Sequence, residues 1–536
     1  MNKILLIAAI SFSIILGGCL NTENADNFKF KIKPETKASI SGQFINAASG
    51  KNITKLNGDV TFTGDADVVV TVMGKDAGKI VNVTGVTKAI FDTKGGFLNF
   101  GVNPGETVSP STPIEIILVA KATGYLTTSL PLRITDSEST NFVIKMVKIG
   151  ENPKGVGATS STTGSSSTDG TVENEIIVSA STTGSSSGEV NSQVNIPKGT
   201  IITNASGDPL TGQLTVNLVY FNNQEQSALE AFPGGFEANV VGASGTTLFT
   251  TGGFLALEVE DENGKVASSF SNDISITMEV PAGTINPKTG IEVAANDQIP
   301  ILSYNTLTGE WTNEKTGTLV LNGNGNFDVI FGINHLSYWN LDWTYGVYCS
   351  EGLSIRFTSN LDETCNGSWR KILLSDVNDQ PIRSSFIQLF NGNEITFYNA
   401  PQIAAKLKIY DADGINVIST TEIADLCGTQ EVSINIDAAE VGGVTMSVKA
   451  ECQDLVIVPS FSVWFRKQGS SNWRSGYVRE GNLTLCDVEI PGTYIFGAYY
   501  DNQFYTQEFT INEKNTVIDL DQLDVSEEVC SFLEKE

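Results

Sequence analysis

Short alternations of apolar and polar residues run along most of the chain, separated by turn-forming residues. Runs such as "DVVVTVM", "QLTVNLVYF" and "ISITMEVP" alternate with a period of two, which is typical of strands. Turn sequences such as "NAASGK" and "DENGK" stand between such runs, and no helical period persists. One short helix is predicted at "NQEQSALEAF". The pattern predicts an all-β chain of several β-sandwich domains in series, with little helix.

A chain of 536 residues is too long for one core and is expected to form several domains. Residues 151–170 are rich in Ser, Gly and Thr and predict a linker, because such sequence buries too little apolar surface to fold. The heptad "STTGSSS" recurs at 181–187 between two apolar segments, where it predicts the tip of a hairpin. The expected divisions are a signal peptide at 1–18, a tether at 19–33, a sandwich at 34–150, the linker, a large β-domain at 171–345, and two small sandwiches at 346–430 and 431–536.

The last two divisions read as copies of one unit. "SIRFTSNLDETCNGSW" parallels "VTMSVKAECQDLVI", and "NGNEITFYNAP" parallels "EGNLTLCDVEIP". Repeats with strands at this spacing indicate small Ig-like or transthyretin-like sandwiches.

Two longer stretches resemble known families. "SISGQFINAASG", "VAKATGYLTTSLPLRI" and "FVIKMVKIGENPKGV" resemble a carboxypeptidase-regulatory-like β-sandwich, a group that includes carbohydrate-binding-like folds. "FPGGFEANV", "GGFLALEVEDENG" and "INHLSYWNLDW" resemble the large extracellular β-domain of cartilage intermediate layer protein. The first resemblance implies carbohydrate binding only by analogy of fold, and no exposed aromatic platform is evident in the sequence.

The start of the chain predicts export. Lys3 precedes an apolar run from Ile4 to Leu16 that is too short to span a bilayer comfortably. "Leu16-Gly17-Gly18-Cys19" resembles a bacterial lipobox, which implies cleavage before Cys19 and attachment of lipid, such as palmitate, to that residue. The protein is then expected in the cell envelope, at the outer membrane or cell surface, with the membrane as partner through its lipid. The alternative is an ordinary signal peptide with a chance cysteine.

The formal net charge of −28 excludes nucleic acid as a partner and disfavours direct contact with anionic lipid. Six cysteines follow Cys19, and an even number in an exported chain predicts disulfides. We expect Cys452 to pair with Cys486 and Cys349 with Cys365, which leaves Cys427 to Cys530 or free. No CxxC motif occurs, so neither a zinc site nor another metal centre is expected.

"Tyr410-Asp411-Ala412-Asp413-Gly414" resembles half of a calcium loop. The further oxygens and the late glutamate of such a loop are missing, so a hairpin turn between "LKIY" and "INVIS" is the favoured interpretation. Calcium binding stays open.

His335 is the single histidine of the chain, so Ser–His or Cys–His catalysis would have to use it. Phe327, Val329, Phe331 and Ile333 predict one buried face of the strand that precedes it. "His335-Leu336-Ser337" resembles the autoproteolysis motif of GAIN domains, and Trp311 matches a tryptophan of that motif.

The GAIN resemblance implies that Ser337 attacks the carbonyl carbon of Leu336 while His335 accepts the proton. Ile333 and Phe331 stand where the receptor motif has cysteines. We favour the interpretation that His335 satisfies a turn and Ser337 caps a strand, with no catalytic residue and no cofactor.

Three functions agree with these observations. The first is a non-enzymatic, lipid-anchored surface protein for adhesion, scaffolding or binding of an unknown protein or glycan. The second is a carbohydrate-binding lipoprotein, and the third is a self-processing domain that cleaves between Leu336 and Ser337.

Overall fold

The structure is a computed structural model of the chain. It describes residues 29–31, 37–53, 67–82, 85–93, 95–135, 140–185, 188–232, 234, 237–242, 246–306, 308–345, 348–350, 352–361, 369–397, 400–435, 444–448, 450–452, 455–458, 461–470, 473–479, 481–485, 488–500, 503–513 and 517–520. Within these residues, no helix has the length and apolar character needed to cross a membrane.

Strands make up nearly all of the regular structure, as the alternation of the sequence predicts. Those of residues 29–146 are β1 Lys29–Lys31, β2 Lys37–Asn46, β3 Val68–Met73, β4 Ile80–Asn82, β5 Ile90–Asp92, β6 Phe97–Val102, β7 Ile114–Ala122, β8 Thr128–Ile134 and β9 Thr140–Met146, with a 3-10 helix at Ala77–Lys79. Those of residues 156–344 are β10 Val156–Ser166, β11 Ile176–Ser181, β12 Asn191–Ile196, β13 Ile202–Thr203, β14 Gly212–Phe221, β15 Glu237–Val240, β16 Thr246–Asp261, β17 Ser269–Val280, β18 Ile285–Asn286, β19 Ile291–Glu292, β20 Gln298–Asn305, β21 Glu310–Thr318, β22 Val320–Leu321, β23 Phe327–His335 and β24 Tyr338–Thr344, with helix α1 at Gln226–Glu230.

The C-terminal third is also built from strands. Its strands are β25 Leu353–Ser359, β26 Trp369–Asp376, β27 Pro381–Gln388, β28 Glu394–Phe397, β29 Ala405–Tyr410, β30 Val417–Ile423, β31 Gly428–Ile434, β32 Val444–Val448, β33 Ala450–Cys452, β34 Leu455–Val458, β35 Phe461–Lys467, β36 Arg474–Val478, β37 Asn482–Leu485, β38 Gly492–Tyr500, β39 Gln503–Ile511 and β40 Val517–Leu520. We call residues 37–146, 156–344, 353–434 and 444–520 the first, second, third and fourth modules.

Three of the modules share one strand order. In the third module the sheets run β28-β25-β31 and β27-β26-β29-β30, and in the fourth β37-β32-β40 and β36-β35-β38-β39. The similarity between the two C-terminal sequences is therefore also a similarity of topology. The first module has the same order, with β4 added at an edge: β4-β6-β2-β9 and β5-β3-β7-β8. In all three, the first and last strands pair in parallel.

The second module is a larger sandwich of a seven-stranded and a six-stranded sheet. The expected linker at 151–170 is wrong, because β10 covers most of it and pairs with β14 along the edge of the larger sheet. The backbone of its Ser and Thr residues pairs with β14, and Gly164 lies against the Ile176 side chain, which leaves no room for a Cβ. The second "STTGSSS" copy begins at Ser181, the last residue of β11, and precedes the antiparallel partner β12, as a hairpin requires.

The seven-stranded sheet carries a core on each of its two faces. One face packs against the six-stranded sheet through a core that includes Leu257, Ile276 and Trp339. The other face carries an aromatic core with Phe249, Phe254, Tyr304 and Trp311 among its members. Helix α1 covers this second core, together with Leu126 and Val147 of the segments that flank β8 and β9.

The modules are consecutive in sequence but pack side by side in space. The first module contacts the second through the aromatic core and contacts the fourth through Phe97, which packs on Trp464 and Trp473. Ser41 also donates a hydrogen bond of 2.7 Å to Ser462 of the fourth module. Strand β1, which precedes the first module, pairs in parallel with β34. The first module is therefore in contact with both the middle and the end of the chain.

One disulfide is present among the described residues, between Cys349 and Cys427, with Cα atoms 5.3 Å apart. The expected Cys349–Cys365 pairing is therefore wrong. The reason is topological: β25 and β31 are parallel neighbours with Leu353 beside Gly428, so the residues just before the two strands meet.

The expected assignment of Cys427 to Cys530 or to a free thiol is wrong for the same reason. Cys19, Cys365, Cys486 and Cys530 lie outside the described residues, as does the side chain of Cys452. The Cys452–Cys486 pairing stays a prediction.

Non-reducing peptide mapping should link Cys349 to Cys427. Replacing both by serine should destabilise the third module by about 2–4 kcal/mol, because the unfolded loop between them is no longer closed. Thermal unfolding with and without reductant measures this, and reductant should leave the double variant's transition of this module unchanged. A map that links Cys349 to Cys365 would contradict the assignment.

Candidate functional site

The His335-Leu336-Ser337 link connects the two sheets of the second module. Strand β23 of the smaller sheet ends at His335, and β24 of the larger sheet begins at Tyr338. The amide of Leu336 donates to the carbonyl oxygen of Ser268 at 2.7 Å, and its side chain packs against the main core. The link therefore crosses the edge of the sandwich with its backbone anchored.

Both polar side chains of the link have partners other than each other. Ser337 Oγ donates to the carbonyl oxygen of Tyr304 at 2.8 Å. His335 Nε2 lies 3.3 Å from Glu314 Oε1, and the ring packs on Trp339 with centroids 5.0 Å apart. Self-cleavage needs the Ser337 proton to pass to His335, whereas here the hydroxyl is held by a backbone carbonyl. The geometry supports a strand-linking role for both residues.

Trp311 lies in the aromatic core, opposite Tyr304, whose carbonyl oxygen accepts the Ser337 hydroxyl. Phe249 meets it edge-on with centroids 5.3 Å apart, and Tyr304 lies 4.7 Å away. Aromatic contacts of this kind add packing energy to the burial of large side chains. The position that matches a GAIN tryptophan therefore has a core-packing role here.

The Asp411 segment is a hairpin turn between β29 and β30, as favoured from sequence. Asp411 Oδ1 accepts the amide of Ile415 at 2.9 Å, and Oδ2 accepts Nδ2 of Asn416 at 2.7 Å. Both carboxylate oxygens are thus used within the turn. The acidic side chain of Asp425 lies near Cys349 and Cys427, but the two sulfurs are bonded to each other and so offer no thiolate to a metal.

The most distinctive polar site is a partly buried ionic junction of three modules, which we call the three-module junction: Lys145, Glu230 and Lys371. Glu230 ends helix α1 of the second module, Lys145 is on β9 of the first, and Lys371 is on β26 of the third. Glu230 forms ion pairs with both lysines, with Lys371 Nζ 2.6 Å from Oε1.

The electrostatics of this junction favour the charged pairs. Burial opposes ionisation of Glu230, but the charges of Lys145 and Lys371 outweigh it and lower the pKa of Glu230 to about 2. Burial lowers the pKa of Lys371, and Glu230 acts against that shift. The Lys371 ammonium also lies 4.4 Å from the centre of the Tyr410 ring, a cation–π contact. Sequence patterns did not reveal this site, since its members are far apart in the chain.

Hydrogen bonds add to the contact between the first and second modules. The Tyr338 hydroxyl donates to the carbonyl oxygen of Thr127 at 2.6 Å and lies 3.2 Å from Glu258 Oε1. The hydroxyls of Ser129 and Tyr304 are 2.8 Å apart. Burial raises the pKa of Glu258, and hydrogen bonds from Thr127 and Tyr338 oppose that shift.

A buried polar chain lies where the third module covers the larger sheet. Thr251 Oγ1 donates to Asn340 Oδ1 at 2.6 Å, and Asn340 in turn donates to Asp342. Burial raises the pKa of Asp342 well above its ordinary value. From the third module, Gln380 donates to the carbonyl oxygen of Asn223 at 2.9 Å, and Asn223 donates to the carbonyl oxygen of Thr251. Polar groups therefore fix the position of the third module.

Comparison with known proteins gives only distant structural likenesses. No family model matches the chain, and a search of curated proteins finds no match. Among solved structures, the TIE protein of Bacillus anthracis is 9% identical over 78% of this chain, with a TM-score of 0.14, and the chain spans 56% of its length.

Two pilins give matches of similar size. The shaft pilin SpaA of Lactobacillus rhamnosus GG is 11% identical over 32% of this chain and 96% of its own, with a TM-score of 0.17. A variant of the major pilin subunit of Bacillus cereus is 8% identical over 91% of this chain and 99% of its own, with a TM-score of 0.15. Scores of this size carry no argument about fold or function, so the all-β architecture rests on the strands of this chain.

The exported protein should run as one chain under denaturing conditions, because Ser337 Oγ donates its hydrogen bond to the carbonyl oxygen of Tyr304 and not to His335. His335→Ala should keep that length and lower the free energy of unfolding by about 1 kcal/mol, the typical value of one hydrogen bond. Gel electrophoresis and intact mass check both. A fragment that begins at Ser337 and disappears in Ser337→Ala would show that the link is cleaved.

Glu230→Gln should destabilise the docked modules by about 3 kcal/mol at neutral pH, because it leaves the buried Lys371 without its charge partner. The folded-state pKa of Glu230 lies below its ordinary value of 4.5, so the stabilisation is present above that value and is lost as pH falls towards 2. The difference between the two proteins in chemical denaturation should therefore shrink from pH 5 downwards.

The matched control is Glu394→Gln, which removes the exposed ion pair with Arg356 and should leave stability unchanged. Equal effects of Glu230→Gln and Glu394→Gln would show that the junction does not hold the modules together.

Proposed function

We propose that the protein is a non-enzymatic scaffold or adhesin of the cell surface. The observation that carries the proposal is the three-module junction, in which one glutamate binds lysines of two other modules. Sandwiches joined only by flexible linkers reorient independently, whereas buried ionic and aromatic contacts make them move as a unit. A unit of this kind presents binding faces at fixed distances from each other, which suits a scaffold.

The non-enzymatic part of the proposal rests on the candidate residues themselves. The hydroxyl of Ser337 and the imidazole of His335 have separate structural partners, and no other histidine occurs in the chain. The three-module junction is filled by its own ion pairs and leaves no charged group for a substrate. Self-processing is therefore disfavoured as an alternative function.

The surface location rests on the N-terminal sequence. A lipid on Cys19 would anchor the protein to an outer membrane or cell surface without a spanning segment. A strongly acidic protein would stay soluble in the space around the cell and resist non-specific association. The carboxypeptidase-regulatory-like and cartilage-intermediate-layer-like character of the first and second modules is part of the same proposal.

Cys19→Ser should move the protein from the membrane fraction to the soluble fraction and lower adhesion of the producing cells to a coated surface. Gly18→Ala is the matched control, because a small residue before Cys19 is kept. Cell fractionation, mass of the N-terminal peptide and a cell-adhesion assay measure these effects. If the Cys19→Ser protein stays membrane-bound after loss of its signal peptide, lipid is not the anchor. If intact cells with surface-accessible protein adhere no better than cells without it, adhesion is not the function.

A further inference from the structure

The outer face of the six-stranded sheet carries two aligned rows of uncharged residues. In one row Ser179, Gln193 and Thr277 are neighbours on β11, β12 and β17, and Ile330 of β23 ends the row. In the next row Asn195 lies beside Ser275, and Ile177 lies on its other side. We call Ser179, Gln193, Asn195, Ser275 and Thr277 the neutral patch. With strands about 4.8 Å apart, the rows span roughly 14 Å from β11 to β23.

Hydrogen bonds within the sheet hold the amide groups of the patch in place. Gln193 Nε2 donates to Ser179 Oγ at 3.0 Å, and Asn195 Nδ2 donates to Glu175 Oε1 at 2.8 Å. With its nitrogen engaged, the exposed Gln193 amide keeps its carbonyl oxygen as an acceptor. Asn195 Oδ1 is buried and has no hydrogen-bond partner among the described residues, so it is not part of the accessible surface. The patch therefore offers one pre-oriented amide acceptor beside the hydroxyls of Ser275 and Thr277, which lowers the entropy cost of binding.

The absence of charge from these rows contrasts with other sheet faces of the protein. On the third module, Arg356 of β25 forms exposed ion pairs with Glu394 and Glu431 of the two neighbouring strands. On the first module, Glu115 of β7 pairs with Arg133 of β8. Around the neutral patch lie the carboxylates of Glu175, Asp273 and Asp328, and Lys315 Nζ donates to the carbonyl oxygen of Gly332 at its edge. The five residues of the patch themselves carry no charge.

We propose that the neutral patch binds a neutral polysaccharide. The inference deepens the proposed function, on which it rests, by giving the scaffold a binding face and a class of partner. Sugar hydroxyls are both donors and acceptors, and they match the Gln193 amide oxygen and the Ser and Thr hydroxyls of the two rows. Ile177 and Ile330 are 51% and 62% exposed, and at opposite corners they give aliphatic contacts for the apolar faces of the sugar rings.

The charge of the protein favours a neutral polysaccharide over an anionic polymer or a second copy of the chain. An anionic polymer is repelled by the net charge of −28 and by the carboxylates around the patch. Two copies of the chain carry that same charge, so pairing them through this face is opposed by their repulsion. A neutral polymer is not repelled in either way, and it can contact several positions of the patch along its length.

The test uses the full exported chain and affinity electrophoresis in gels that contain a soluble neutral polysaccharide: a β-1,3-glucan, an α-1,4-glucan or an α-mannan. Polygalacturonate is the anionic comparison. The variant Gln193→Ala/Thr277→Ala removes two hydrogen-bonding groups from the patch, and Gln193 is exposed, so folding should persist. The control Thr420→Ala/Thr429→Ala removes two exposed hydroxyls from the third module. Thermal unfolding and titration calorimetry accompany each protein.

The wild type and the control should bind at least one neutral polysaccharide equally, and the patch variant should bind it at least tenfold more weakly. The proposal is overturned if none of the neutral polymers retards the protein, if the folded patch variant binds as well as the wild type, or if polygalacturonate binds through the same residues. It is also overturned if ultracentrifugation shows self-association that the patch variant abolishes. Surface exposure and cell adhesion are measured separately. If the protein is a surface adhesin but binds no polysaccharide, only this inference is overturned and the proposed function stands.

Discussion

The large sheet of the second module has an aromatic core on the face that points away from its partner sheet, and that core must be covered. Phe249, Phe254 and Trp311 would otherwise expose apolar area far beyond what a soluble protein tolerates. Helix α1 is too short to cover them alone, and the first module completes the cover with Leu126 and Val147. The position of the first module is thus a consequence of the second module's folding.

The three-module junction fixes the relative position of the modules, which apolar burial alone would define only loosely. Apolar surfaces can slide with small changes in energy, but Glu230 must reach both Lys145 and Lys371 to offset its burial. A displacement that breaks either pair leaves a charge without compensation in a poorly solvated site. The helix that covers the aromatic core therefore also sets the positions of the modules on its two sides.

The sequence predicted the individual strands better than it predicted which segments pack against them. Alternation identified β23 and its buried face, because that strand packs on one side only, as such patterns assume. It is misleading for β24: in "SYWNLDW", Asn340 and Asp342 alternate with tryptophans, as in a half-exposed strand, yet both are fully buried. Asn340 bonds to Thr251 of β16, and contact with a segment distant in sequence leaves no local signal. Composition also gave a wrong prediction for β10, because its Ser and Thr residues suggested a linker where the structure has a strand.

Topology also explains why the disulfide and the shared architecture escaped prediction. Similarity of sequence connected the third and fourth modules, but the first module reaches the same strand order with different residues at its turns. In that order, the parallel first and last strands bring their preceding residues together, and this places Cys349 beside Cys427. Pairing by position along aligned repeats cannot reveal a contact that exists only because two strands are parallel.

The two sheets of the second module thus face different constraints. The larger sheet carries a core on each face, and its buried polar residues form internal hydrogen bonds, as at Asn340 and Thr251. The smaller sheet has one buried face, and along β11, β12 and β23 the alternate residues are exposed or partly exposed. Residues there are free of the packing requirement, and a partner can bind without disturbing the junction. This separation would let one module be both the centre of the assembly and the site of the proposed binding face.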